Sequence, residues 1–303
     1  MPAGRYAPSP SGPLHVGNLR TALVAWAAAR GDGSGFALRI EDLDPSSRAA
    51  HEEGQLADLR AVGVDWDEPV LRCSERRDRY EDALATLVAS GATYPCYCTR
   101  REIREATRAA HGPPDTYPGT CRDLTPADRE RHEADGRPPA LRLRGTGETV
   151  TVVDALQGPF SAPVDDVVLR RNDGLPAYNL TVVVDDHDQG VEEVVRGDDL
   201  LASTPRQVHL ATLLGLTVPT YLHVPLVLGP DGSRLAKRHG AVTLADLARR
   251  GITVEEVVAR LRDSLMPAVV DDTVPLERTA LPREPWVLDP DDGWALDARP
   301  SPG

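Results

Sequence analysis

"GRYAPSPSGPLHVGNLRTALVAWAAARGDGSGFALRIEDLDP", residues 4–45, decides the fold. Its first residues read as a short strand, Arg5 to Ala7, cut off by Pro8 and Pro10, which cannot donate to a ladder. Leu19 to Arg30 reads as a helix, because Leu19, Leu23, Trp26 and Ala27 fall on one face and Gly31 is a stop signal. Phe36 to Ile40 gives a second strand that ends in the carboxylates of Glu41, Asp42 and Asp44. Strand, helix and strand at this spacing predict a right-handed βαβ unit and hence a parallel sheet. Ligands of such sheets sit beyond the carboxyl ends of the strands. Ser9 to Gly17 and Glu41 to Asp44 would both lie there. The expected class is therefore α/β, built on a Rossmann-like parallel sheet.

Beyond this unit, residues 50–92 read as helical, with a break at Gly63 in "VGVDWDEP". The texture then changes at "YPCYCTRREIREATRAAHGPPDTYPGTC" and the polar, Pro-rich sequence after it, which reads as an insertion. Apolar runs return at "DDVVLRR", "AYNLTVVVDD", "VEEVV" and "YLHVPLVLG", so a second half of the sheet is expected there. "VTLADLARRG" and "TVEEVVARLRDSL" read as two short amphipathic helices. From Pro282 the chain is rich in Pro and Asp and is expected to be poorly ordered. The expected organisation is 1–92 as the first half of the sheet domain, 93–150 as the insertion and 151–245 as the second half. A short helical region, 246–281, and a tail, 282–303, would follow. No internal repeat is present in the sequence.

Composition narrows the function classes. Hydrophobic residues make up 41% of the 303, enough for a buried core, but aromatics only 4%, so Leu, Val and Ala must do most of the packing. No apolar run is long enough to span a bilayer and the N-terminus lacks the apolar segment of a leader, so a soluble, cytoplasmic protein without membrane contact is expected. The net charge of −13 argues against a general nucleic-acid binder, since neutralising phosphates takes a basic surface. The excess is uneven, however, and local groups such as "TRREIR" could still form a basic patch. Four cysteines do not make a disulfide scaffold in a chain of this size. Cys73 stands alone, whereas Cys96, Cys98 and Cys121 form a group. Thiolates close together in a reducing compartment favour zinc over a disulfide, and three are one ligand short of a tetrahedron. An imidazole binds zinc readily, which makes His111 the chemical choice for the fourth.

The turn from Ser9 to Gly17 carries the sharper question. A Gly-rich turn entering a helix offers backbone N–H groups and the helix dipole to an anion. His15 would add a side-chain donor and Asn18 would cap the helix. Taken singly, a histidine in such a turn is as compatible with a structural role.

Four segments in order, "RYAPSPSGPLHVGN", "RIEDLDP", "VVRGDDLLASTPRQ" and "RLAKRHG", take the pattern further. Over residues 4–245 the chain resembles the class I aminoacyl-tRNA synthetases of the glutamyl type. His15-Val16-Gly17-Asn18 resembles their HIGH signature, and Arg234-Leu235-Ala236-Lys237-Arg238 their KMSKS signature. The resemblance implies a Rossmann-like catalytic domain with a zinc-binding insertion, in which L-glutamate is activated by ATP accompanied by Mg²⁺. It implies His15, Asn18 and Lys237 as the catalytic positions, with His15, Gly17, Lys237 and Arg238 on the ATP phosphates. It implies that Arg5 and Ser9 contact glutamate, that Glu41 takes the ammonium, and that Tyr178 and Arg196 close the pocket. Arginine suits that task through planar two-point contact with a carboxylate. It also implies Tyr117, in the spacing C-x-C-x18-Y-x3-C, as the fourth ligand of one structural Zn²⁺. The chain departs from the family where Asn18 replaces the second histidine of HIGH, and where Arg234 and Ala236 replace the first lysine and the serine of KMSKS.

Only 65 residues follow Arg238, fewer than an anticodon-reading domain needs. In this the chain resembles a short branch of the family, which implies transfer of glutamate to the queuosine base of tRNA(Asp) by a monomer that needs no tRNA for activation. The alternatives are a truncated enzyme charging the 3′ end of tRNA(Glu), or a non-catalytic synthetase-like protein that binds tRNA or a nucleotide.

Overall fold

The structure is a computed structural model and describes residues 2–99, 101–103, 105, 117–235, 240 and 242–289. Strand β1 (Pro2–Tyr6) and strand β2 (Gly35–Ile40) pair in parallel, with Tyr6 opposite Leu38. Helix α1 (Val16–Gly31) connects them, so the βαβ unit expected from residues 4–45 is present. α1 is not amphipathic in the way the four-residue face suggested. Val16, Leu19, Arg20 and every residue from Ala22 to Ala29 are buried. The alanines allow this close packing: a Cβ on Gly4 of β1 would stand 2.8 Å from the Ala29 Cβ. The one charge on the buried surface, Arg20, is satisfied by the Pro225 carbonyl at 2.9 Å and by Ser264 Oγ at 3.0 Å.

The stretch read as helical contains two helices with a strand between them. Helix α2 (Ala49–Ala61) stops at Val62 and Gly63, whose φ of 85° a side-chain-bearing residue resists. Strand β3 (Asp67–Arg72) then joins β2 in parallel before helix α3 (Arg77–Ala89). Asp67, Glu68 and Pro69 of β3 are exposed, so no apolar alternation announces it.

The insertion centres on an antiparallel sheet of β4 (Thr93–Cys96), β5 (Ala140–Leu143) and β8 (Val168–Arg170), with helix α4 (Pro126–Ala134) beside it. Between β5 and β8, the hairpin β6 (Thr149–Asp154) and β7 (Gly158–Pro163) belongs to another sheet. The expected boundary at 150 thus falls inside β6, and "DDVVLRR" supplies the insertion's third strand. "AYNLTVVVDD", grouped with the strands by its valine run, is helix α5 (Tyr178–Asp188). Strand β9 (Glu193–Gly197), helix α6 (Thr204–Leu214) and strand β10 (Thr220–Val224) follow, with β9 and β10 parallel and β6 alongside β10. β1 lies against β9, and Arg5 Nη1 donates to the Val195 carbonyl at 3.0 Å.

The two short C-terminal helices are as expected, α7 (Leu244–Arg249) and α8 (Val254–Asp263), each opened by a threonine capping box. The tail is not loose where it is described. Strand β12 (Trp286–Val287) pairs in parallel with β11 (Val227–Leu228), and Leu288 is buried. The remainder of the expected tail, 290–303, lies outside the described residues.

Candidate active site

The turn from Ser9 to His15 and the carboxyl ends of β1 and β9 enclose a cavity of about 690 Å³. α2 splints the turn: Gln55 Nε2 donates to the carbonyls of Ser9 at 2.9 Å and Gly12 at 2.6 Å. His15, not Asn18, is the N-cap of α1, and Asn18 completes the capping box from the third helical position. The Asn18 N–H donates to His15 Nδ1 at 3.3 Å, which leaves Nε2 as the proton-bearing nitrogen of the neutral ring. Burial and the nearby Arg234 push His15 down to about 4, so the ring is neutral at pH 7. The side-chain donor expected at His15 is thus a neutral Nε2–H. Gly17 makes room for it, since a Cβ there would meet the imidazole at 3.1 Å.

Arg5, Ser9, Glu41, Tyr178 and Arg196, all five residues expected to bind an amino acid, line the same cavity. Their support is a buried charge network absent from the sequence reading. Asp186 accepts from Arg5 Nε at 3.3 Å and from Arg39 Nη1 at 2.8 Å. Burial pushes the Asp186 carboxyl up, but Arg39 and Arg5 outweigh it and hold it below the usual carboxylate range. Arg39 also bonds Gln189 Oε1 at 2.8 Å and reaches Glu41 Oε1 at 3.5 Å. Burial keeps the Glu41 carboxyl above its ordinary value in spite of Arg39 and Arg5. Below this layer Asp185 accepts from Arg76 Nε at 2.8 Å, Tyr80 OH at 2.7 Å and Cys73 Sγ at 3.4 Å, so the solitary cysteine is a buried structural side chain.

Arg196 is bound on three sides. Nε donates to His223 Nε2 at 3.0 Å, Nη2 to Thr204 Oγ1 at 2.9 Å and Nη1 to Tyr178 OH at 3.4 Å. His223 Nδ1 stands 2.6 Å from Asp154 Oδ2. Neither His223 nor Asp154 carries a motif that sequence reasoning could use; only the pairing of β10 with β6 brings them together.

Of the lysine loop, Arg234 lines the cavity and pairs with Asp199 at 2.8 Å. Lys237 and Arg238 lie outside the described residues. In the insertion, the sulfurs of Cys96, Cys98 and Cys121 lie within 4.8 Å of one another. That spacing fits a tetrahedral Zn²⁺, whose bonds of about 2.3 Å to sulfur put ligand atoms roughly 3.8 Å apart. Tyr117 OH is 3.3 Å from Cys96 Sγ, and the Arg142 guanidinium lies 3.8 Å over its ring. Tyr117 is therefore at the cluster, whereas His111 is outside the described residues. Among the described residues no helix is long and apolar enough to cross a membrane.

The family of class I tRNA synthetases (E and Q), catalytic domain, matches residues 3–267. The chain is 62% identical over 292 residues to the glutamyl-Q tRNA(Asp) synthetase of Nocardia farcinica, covering 94% of this chain and 93% of that one. It is 47% identical over 308 residues to the glutamyl-Q tRNA(Asp) synthetase of Symbiobacterium thermophilum, covering 94% and 95%. The crystal structure of a glutamate-tRNA synthetase from Elizabethkingia anophelis superposes with a TM-score of 0.83 at 25% identity, over 95% of this chain and 68% of that one.

Proposed function

Because the chain belongs to the class I tRNA synthetase family for glutamate and glutamine, we propose that it activates L-glutamate with ATP and transfers it to the queuosine base of tRNA(Asp). The observation that carries this reading is one cavity lined by two chemically different sets of groups. The first is His15 and the amino end of α1, with Arg234 nearby; the second is the Arg5 and Arg196 guanidinium groups and the Glu41 carboxyl. The first matches a polyphosphate. The second matches a ligand with two carboxylates and one ammonium.

In activation a glutamate carboxylate oxygen attacks the α-phosphorus of ATP, the bond to the bridging oxygen breaks, and pyrophosphate leaves. The protein's task is positioning and charge stabilisation. The His15 Nε2–H and the Gly17 amide would hold phosphate oxygens, with the bare Gly17 permitting the close approach and Asn18 fixing the ring. Arg5, Ser9, Tyr178 and Arg196 would hold the carboxylates and Glu41 the ammonium. Lys237 and Arg238 would meet the β- and γ-phosphates, with Mg²⁺ entering alongside ATP as part of the substrate. Cys96, Cys98, Cys121 and Tyr117 would hold one Zn²⁺ that cross-links the insertion near the tRNA acceptor. On this proposal the protein works in the cytoplasm as a monomer.

Transfer of ¹⁴C-glutamate to queuosine-containing tRNA(Asp) and to tRNA(Glu), compared side by side, tests the reading. Label on the first alone is expected. Label on the second alone would make the protein a glutamate charger of ordinary type. If no amino acid supports ATP–pyrophosphate exchange, the protein is a non-catalytic binder.

A further inference from the structure

We propose that Asp154 and His223 form a buried positioning pair that sets the roll of the Arg196 guanidinium, and with it the enzyme's affinity for the amino-acid carboxylate. The inference rests on the reading of the cavity as a glutamate site.

The hydrogen-bond directions leave one arrangement. Asp154 Oδ1 is taken by the backbone N–H groups of Leu156 at 3.0 Å and Gln157 at 2.8 Å. Its Oδ2 accepts the His223 backbone N–H at 2.9 Å and faces His223 Nδ1 at 2.6 Å. Burial pushes the Asp154 carboxyl up, but the bonds from His223, Gln157 and Leu156 prevail and keep it ionised. An ionised Oδ2 can only accept, so Nδ1 carries the proton. Arg196 Nε is always a donor, so Nε2 must accept from it. His223 is therefore the neutral Nδ1–H tautomer. Burial favours that neutral form, and Arg196 reinforces it against the pull of Asp154 and Asp198. The other groups against the ring are Thr204 at the start of α6 and Tyr221, whose ring centroid lies 6.0 Å away.

The consequence is a guanidinium fixed along one edge. Nε is held by His223 and Nη2 by Thr204, both fully buried. Nη1 is left on the cavity side beside Tyr178 OH, where the two can meet one carboxylate. A planar guanidinium held on one edge presents the other at a fixed angle, so the ordering cost on binding is small.

Two substitutions at one position separate the roles of the two ring nitrogens. His223→Asn keeps a donor near Asp154 but leaves Arg196 Nε without its acceptor. His223→Gln places an acceptor near the Nε2 position and gives up the bond to Asp154. In glutamate-dependent ATP–pyrophosphate exchange, His223→Asn is expected to raise the KM for glutamate about tenfold or more, the size of one lost buried bond to a charged group. The KM for ATP and the kcat at saturating glutamate should stay within about twofold, since the lost contact serves ground-state binding. His223→Gln should restore most of the glutamate KM. Equal effects of both variants, or a KM for ATP that moves with that for glutamate, would overturn the proposal. A second readout needs no substrate and no variant: ¹⁵N imidazole shifts of the parent protein at pH 7. The Nδ1–H tautomer is expected for His223, and a cationic or Nε2–H ring would overturn the proposal even if every variant failed to fold. If the parent shows no exchange with glutamate, the functional reading falls, and the imidazole shifts still decide the pair.

Discussion

The Asn18 backbone N–H donates to His15 Nδ1 at 3.3 Å, and the His15 backbone N–H donates to Asn18 Oδ1 at 3.1 Å. This reciprocal pair both closes the amino end of α1 and aims the remaining ring nitrogen at the cavity. The two tasks can be separated. His15→Asn supplies an oxygen near the Nδ1 position and keeps the cap, but has nothing near Nε2. It should unfold like the parent protein while activating glutamate about a hundredfold more slowly, the usual loss for one donor to developing charge. His15→Ala should lose the same rate and in addition about 1 kcal/mol of stability. Exchange rates and urea midpoints measured together check both halves.

The same residue makes a prediction about pH. His15 stands at about 4 in the folded chain, below its ordinary 6.5, because burial and Arg234 disfavour the cation. Between those values the unfolded chain takes up a proton that the folded chain does not, so stability falls as pH drops from about 6.5 to about 4. Below that window His15 contributes no further change. Urea midpoints across pH 3–8 should fall more steeply for the parent than for His15→Asn within that window, and run parallel outside it.

Asp186 should be the least replaceable of the supporting groups. Asp186→Asn leaves buried Arg5 without its carboxylate partner and buried Arg39 with only the more distant Glu41 and Asp185 at 3.5 and 3.9 Å. A cost of about 3–5 kcal/mol is expected at pH 7. Because the folded Asp186 carboxyl is held below its ordinary value, the stabilisation is fully present above the unfolded pKa near 4. It is lost as pH falls through the lower folded value, so the penalty of the variant should shrink in acid. Denaturant melts of both proteins at pH 7 and below pH 4 test the cost and its sign.

Of the residues that line the cavity, Ser9, His15 and Glu41 lie at the turn and strand ends that local βαβ logic picks out, whereas the roles expected of Arg5, Tyr178 and Arg196 rest on the resemblance to the synthetases. The residues behind them were not legible. Arg39 sits in a strand buried on both faces, where alternation gives no signal, and its partners Asp186 and Gln189 lie near the far end of α5. β3 was hidden for a related reason: its place is fixed by backbone pairing with β2, while its first residues stay exposed. α5 was misread because three consecutive valines suit a strand locally, whereas in the fold Val182, Val183 and Val184 are buried within a helix.

The cysteine group predicts one zinc per chain in protein kept reduced. Cys121→Ser should lower the zinc content well below one, because three strong ligands become two. Tyr117→Phe keeps the ring beneath Arg142 but removes the oxygen beside Cys96, and should bind zinc more weakly without losing it. Metal analysis after dialysis against a graded chelator distinguishes the two. Equal retention by Tyr117→Phe and the parent would remove the phenol from the ligand set.

The docked tail supplies the last test. Trp286 N–H donates to the Leu226 carbonyl at 3.2 Å and Leu288 N–H to the Leu228 carbonyl at 2.9 Å, so this segment covers the strand that leads into Arg234. Leu288 is 1% exposed and its neighbour Val287 is 57% exposed, although they are adjacent in sequence. Leu288→Ala should therefore cost about 2–5 kcal/mol through the cavity it leaves, and Val287→Ala no more than about 0.5 kcal/mol. A tail that merely lay on the surface would give two equal, small effects. Since β11 runs directly into the turn that carries Arg234, loosening it should also raise the KM for ATP in Leu288→Ala. The KM for glutamate should not follow, because Arg5 and Arg196 are held by β1 and β9 rather than by β11.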